Sequence, residues 1–179
     1  MSEQEPIATF HVSVHSTATP EAIYGVLADP RTALEWGGRQ APKKDFRLLT
    51  MDAPPGPLTV GDTFSSTGAN INGEFHDRST VVEAEPGACF GFDTESTLVR
   101  KHVSTWHVRF THRYTLTSTP DGTEISYRSE VRPENYVPWW LRPGVRSMTG
   151  RMVARMMRKH LENLASLSGN GAVQSRRTV

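Results

Sequence analysis

His112, Tyr127 and Arg78 are the side chains of this sequence whose types and placement could do chemistry. A neutral imidazole offers one donor and one acceptor, and its ordinary pKa near ~6.5 lets it move a proton at physiological pH. His112 could hydrogen-bond a ligand carbonyl or take a proton from an activated carbon, with Tyr127 as a second proton handler. An inward arginine at 78 could hold a carboxylate or phenolate through two parallel hydrogen bonds. Each also has an ordinary reading. His112 can be a core histidine satisfied by Ser129 or Tyr127, since buried polar groups as a rule have protein partners. Arg78 can belong to a solvated strand face.

A hairpin must position the first two. In "TWHVRFTHRYTLTSTPDGTEISYRSEV", Trp106, Val108, Phe110, His112, Tyr114 and Leu116 fall on one side of an alternating run. Ile125, Tyr127, Ser129 and Val131 do the same after the turn. Side chains alternate across a strand, so this predicts two strands with one covered and one solvated face. If Ser118 faces Thr123, "TPDG" closes the turn. His112 then stands opposite Ser129, Tyr114 opposite Tyr127 and Phe110 opposite Val131, all on the covered face. For Arg78 the parity stays open. Val82 and Ala84 inward would carry His76 and Arg78 inward; Val81 inward would carry Phe75 and Asp77, and a bulge is compatible with both.

The remaining elements follow from the same periodicities. "IATFHVSVH" alternates as a first strand. Thr19 caps and Pro20 opens a short helix whose buried stripe is Ile23, Val26 and Leu27; Asp29 caps a second one over "PRTALEW". "DFRLLTM", "LTVGDTFSSTG", "HDRSTVVEAEPG" and "ACFGFDTES" read as strands, and "DAPPGP" as a loop. From Val145 to Leu167 a proline-free segment is amphipathic, with Met148, Met152 and Met156 in one line beside Val153, Met157, Leu161 and Leu164. Residues 1–6 and 168–179 read as a flexible start and a disordered polar tail around a single domain at 7–167. Strand runs bounded by helices give an α+β fold in which only the last helix is long enough to cover the sheet.

Composition narrows the function. The chain has 179 residues, 36% hydrophobic, with a net charge of +1, which gives no footprint for nucleic acid. A single Cys89 excludes an internal disulfide and a thiol-based zinc site. No apolar leader follows "MSEQEP" and no run of about 18 apolar residues exists, so stable membrane insertion is not expected and a cytoplasmic location is. His11 and His15 lie roughly 13 Å apart on a strand at about 3.3 Å per residue, too far to share a metal, and His102 and His107 complete no set. No glycine-rich phosphate loop, G-x-S-x-G or H-E-x-x-H occurs. No cofactor is expected.

Taken in order, "ATFHVSVHSTATPEAIYGVLADPRTALEW", "STVVEAEPGACFGFDT", "HRYTLTSTPDGTEISY" and the Met- and Arg-rich helix ending "RKHLENLASL" resemble the START-like, Bet v 1-like (SRPBCC) superfamily. The branch is the polyketide cyclase/dehydrase and lipid-transport-like one, over about residues 7–167. The resemblance implies a helix-grip fold: a curved seven-stranded antiparallel sheet around the C-terminal helix, with a cavity between them and apolar small-molecule binding. It carries over no catalytic motif. Under it, the expected ligand wall is Trp36, Phe64, Phe75, Phe92, Trp106, Phe110, His112, Tyr114 and Tyr127, with Met148, Met152 and Met156 as floor. The aromatics can equally be plain core, and the methionines likewise. Trp139 and Trp140 could form a lip over the mouth, graze a membrane or pack on the helix start. Three readings result: a binder of an apolar or aromatic small molecule, a cyclase/dehydratase-type enzyme using His112, Tyr127 and Arg78, or a protein-docking module. A His112 pKa perturbed inside a cavity would favour the enzyme.

Overall fold

A sheet built from alternating strands needs one face covered, and the chain order supplies the cover last. The computed structural model describes residues 6–38, 41–42, 45–71, 73–99, 105–134 and 142–175, with side chains of the final segment described over 153–169. The elements are β1 (Ala8–Ser16), α1 (Pro20–Leu27), α2 (Pro30–Trp36), β2 (Arg47–Asp52), β3 (Thr63–Asn70), β4 (Gly73–Glu85), β5 (Cys89–Val99), β6 (Trp106–Thr119), β7 (Gly122–Pro133) and α3 (Arg142–Ser175). They form one seven-stranded antiparallel sheet in the order β1-β7-β6-β5-β4-β3-β2. This is the α+β helix-grip arrangement, with α1 and α2 carrying the chain from one edge strand to the other.

The short helices start where their caps dictate. Thr19 Oγ1 accepts from the Ala22 amide at 3.3 Å and Asp29 Oδ1 from the Arg31 amide at 3.0 Å, each with proline as the next residue. Proline there loses no hydrogen bond, because the first helical amide has no partner inside the helix.

The β6–β7 hairpin has the expected register: Ser118 faces Thr123, Tyr114 faces Tyr127, His112 faces Ser129 and Phe110 faces Val131. Pairing runs one step further, to Thr119 and Gly122, so the turn itself is Pro120-Asp121. Gly122 has φ +147°, and a Cβ there would run into the Ser16 carbonyl, so only glycine suits the position.

In β4 the open parity resolves through a bulge. The β4–β5 register shifts between Val81 and Glu83. Val81 is buried and Ala84 packs on the same core three positions later, while Val82 is exposed. Upstream of the bulge Phe75, Asp77, Ser79 and Val81 therefore face inward, and His76, Arg78 and Thr80 face solvent.

The core lies between the concave face and the second half of α3. Met157, Leu161 and Leu164 pack with Ile23 and Leu27 of α1 against Val12, Phe90, Leu116 and Ile125. α3 runs past Leu167 to Ser175, through the start of the segment expected to be a disordered tail. Ser168 is buried, and its hydroxyl donates to the Leu164 carbonyl at 2.8 Å.

Leu161 is fully buried at this seam. Leu161→Ala is expected to lower unfolding stability by about 2–5 kcal/mol, read as a drop in the urea midpoint, whereas the exposed Val82→Ala stays within about 0.5 kcal/mol. Equal midpoints for the two variants would mean that α3 is not seated as described.

Candidate functional site

The inward positions of β5, β6 and β7 carry rings at adjoining positions, so the rings meet. Phe92 and His112 are register partners and stack at 4.5 Å with their planes 20° apart. Phe64 meets Phe92 edge-on at 5.3 Å, Tyr114 lies 4.9 Å from Tyr127, and Trp36 closes on Tyr114 at 6.4 Å. Phe110 lies 6.0 Å from His112. Trp36, Phe64, Phe92, Phe110, His112, Tyr114 and Tyr127 thus form one continuous aromatic array. Tyr114 and Tyr127 are its buried floor; Phe92, Phe110 and His112 keep part of their surface accessible although they face inward.

The other expected lining residues are placed apart. Phe75 pairs with Phe46 at 5.4 Å, nearer the start of β4. Trp106 is partly buried at the first position of β6, opposite Leu98. Met156 packs on the core, while the side chains of Met148 and Met152 lie outside the described residues, as do Trp139 and Trp140. Arg78 stands on the outer face, across the sheet from His112 and Tyr127. There it borders an open groove of about 390 Å³ with Thr80, Asp93, Glu95 and Arg109, and a second of about 430 Å³ near Asp52 and Thr63. The charged lining of the first belongs to the solvent side and is separate from the aromatic array. Among the described residues no three histidine, cysteine or acidic side chains come together as metal ligands.

His112 Nδ1 is 2.8 Å from the Tyr127 hydroxyl. The ring is thereby the partnered histidine of the ordinary reading, and the nitrogen through which it could meet a ligand is Nε2. Burial, reinforced by the Arg113 guanidinium, lowers its pKa to about 3. At neutral pH the imidazole is uncharged, a hydrogen-bonding group with little basicity. Burial likewise pushes the Tyr127 and Tyr114 phenols up, so both stay protonated.

One group of inward residues had no place in the expected wall. Ser66, Asp77, Ser79, Thr94 and Ser96 line the concave side of β3, β4 and β5. Their only signal in sequence was parity: Val81 inward brings Ser79 and Asp77 with it, and Phe64 inward brings Ser66. The Trp36 Nε1 and one Asp77 oxygen are buried without a hydrogen-bond partner among the described residues.

Comparison with known proteins agrees with this architecture. Residues 8–169 match the family model described as polyketide cyclase / dehydrase and lipid transport. No curated protein matches the sequence. Among solved structures, a protein from Rhizobium leguminosarum superposes with a TM-score of 0.66 at 14% identity, over 91% of this chain and 95% of its own. CV1439 from Chromobacterium violaceum gives 0.60 at 16% identity, over 90% and 98%. Ara h 8.0201 gives 0.59 at 9% identity, over 89% and 96%. At these identities the likeness is one of fold.

The lowered His112 pKa has a direct consequence. The unfolded chain binds a proton at His112 near pH ~6.5, the folded one only near pH 3. The stability this ring contributes is complete above pH ~6.5 and is lost progressively as pH falls toward the folded value. His160, lowered to about 4 by burial beside Lys159, adds to the same slope. The His112 ring resonances should therefore stay in the neutral form from about pH 8 to about pH 5, and His112→Gln should flatten the acid limb of the urea-midpoint profile. A ring titrating near pH ~6.5 would show that the site is wet and open.

Proposed function

Because the chain belongs to the polyketide cyclase / dehydrase and lipid transport family, within the START-like, Bet v 1-like superfamily, we propose that it binds an apolar or aromatic small molecule between the concave face and α3. The observation that carries this reading is the stacked pair Phe92–His112 with Phe110 beside it, facing inward yet incompletely covered. A ligand ring laid on these side chains would remove their remaining surface from water, at about 25 cal/mol per Å² of apolar area. Neutral His112 supplies one placed hydrogen bond, the usual composition of a small-molecule site. Phe75, Trp106 and Met156 extend the proposed lining, with Met148 and Met152 toward the start of α3. No described helix is long and apolar enough to cross a membrane. We place the binder in the cytoplasm, with no nucleic-acid partner.

A cyclase/dehydratase reading rests on the His112–Tyr127 hydrogen bond. The His112 pKa is perturbed, but away from neutrality. A base near pKa 3 is poorly matched to proton abstraction at pH 7. With Arg78 on the outer face, His112 and Tyr127 would have to act alone, His112 as a neutral donor to a substrate carbonyl. Binding is therefore the first reading and catalysis the second.

The test is retention. Purified protein incubated with cell extract should keep one apolar or polyphenolic compound in native mass spectrometry, released on denaturation. Phe92→Ala and Phe110→Ala should each weaken its binding roughly tenfold or more, and Arg78→Ala should leave it unchanged. Turnover of that compound, lost in His112→Gln, would move the reading to the enzyme. No retained compound, where a related pocket protein retains one, counts against a tight binder.

A further inference from the structure

Beside the aromatic array, the concave face turns polar. Ser66, Asp77 and Ser96 form one cross-strand row, Asp77 being register partner of both serines. The neighbouring row holds Ser79 and Thr94, whose hydroxyls are 2.8 Å apart. All four hydroxyl residues are buried. Asp77 Oδ1 is also buried but has no partner among the described residues, and no described lysine or arginine pairs with the carboxyl.

For folding alone this arrangement is a cost. A buried acceptor left open forfeits its hydration and gets nothing in return. The adjoining row shows that the fold can satisfy such groups, since Ser79 and Thr94 satisfy each other. Burial holds the carboxyl above its ordinary 3.8. Its neighbours are hydroxyls, which can both donate and accept. His112 cannot share this role. Ser96 pairs with Val108, four residues before His112 on β6, which puts the two anchors two strands and four residues apart, roughly 16 Å between backbones.

Resting on the reading that a small molecule lies between the sheet and α3, we propose that Asp77, flanked by Ser66 and Ser96, anchors a hydroxyl group of that molecule. The ligand class is then a hydroxylated aromatic compound, distinguished from a plain hydrocarbon by the hydrogen bond its hydroxyl makes to Asp77.

The experiment uses 2-naphthol and naphthalene as probes on the full chain, with binding read by fluorescence titration. Wild type should prefer 2-naphthol about tenfold. Asp77→Leu, of similar volume, should abolish the preference while binding naphthalene at least as well, and should melt no lower than wild type. Asp77→Asn keeps a carbonyl acceptor and should retain part of the preference. Equal binding of both probes by wild type, or an unchanged preference in Asp77→Leu, overturns the anchor and leaves the small-molecule reading intact. Binding of neither probe by wild type overturns both. A fall in melting temperature together with lost naphthalene binding in Asp77→Leu assigns Asp77 a structural role and overturns the anchor.

Discussion

The contact between the second half of α3 and the concave face is what the rest of the structure depends on. An antiparallel sheet with a clean inward and outward alternation must have its apolar side covered. Met157, Leu161 and Leu164 provide the cover against β1, α1 and the central strands. Polar links reinforce this seat, among them the Lys159–Asp45 pair at 3.0 Å. The Ser16 hydroxyl donates to the Ala165 carbonyl at 3.4 Å, and the Asn163 side chain donates to the Trp36 carbonyl at 3.4 Å. Since β1 and β2 are the opposite edge strands, α1 and α2 must cross the same side that α3 covers.

Once that face is covered, every polar group on it has to be accounted for. Thr123 gives its hydroxyl to the Ala18 carbonyl at 2.7 Å, Ser79 and Thr94 share one bond, and His112 and Tyr127 share another. These groups sit in a low-dielectric interior at little net cost because their partners are in place. The same interior explains why His112 gives up its proton so easily and why the two phenols hold theirs. It also makes the aromatic array a poor place for proton transfer and a suitable one for ring stacking with a single neutral hydrogen bond.

The sequence was most legible where periodicity was strict. The β6–β7 register followed from an unbroken alternation on both sides of the turn, and the helix starts followed from Thr19-Pro20 and Asp29-Pro30. It was least legible where a local device broke the period. In "STVVEAE" the two valines and the alanine cannot all share one face, and only the bulge between Val81 and Glu83 lets Val81 and Ala84 both point inward. The length of α3, which runs to Ser175, was not read from the sequence because its last residues are polar. The aromatic half of the candidate site was visible by residue type. The hydroxyl half was not, because serine, threonine and aspartate are mostly exposed and carry no signal of burial.

The placement of Asp77 beside Arg78 bears on why no described cation pairs with its carboxyl. The outer face has many charges and pairs them: Arg113 with Asp93 at 2.9 Å, Arg109 with Glu134 at 2.8 Å, Arg132 with Glu130 at 2.7 Å. In water such pairs contribute little, about 0–1 kcal/mol each. Inside, one pair would matter far more, and the residue adjacent to Asp77 in sequence, Arg78, carries a guanidinium. Strand alternation sends it to the opposite face. A shift of one position would exchange the two residues, turning the arginine in and the aspartate out. The bulge lies downstream of both, so it leaves their alternation intact and preserves the separation. That no described cation meets Asp77 therefore does not come from a shortage of cations in this segment; it follows from the same parity that turns Phe75, Ser79 and Val81 inward.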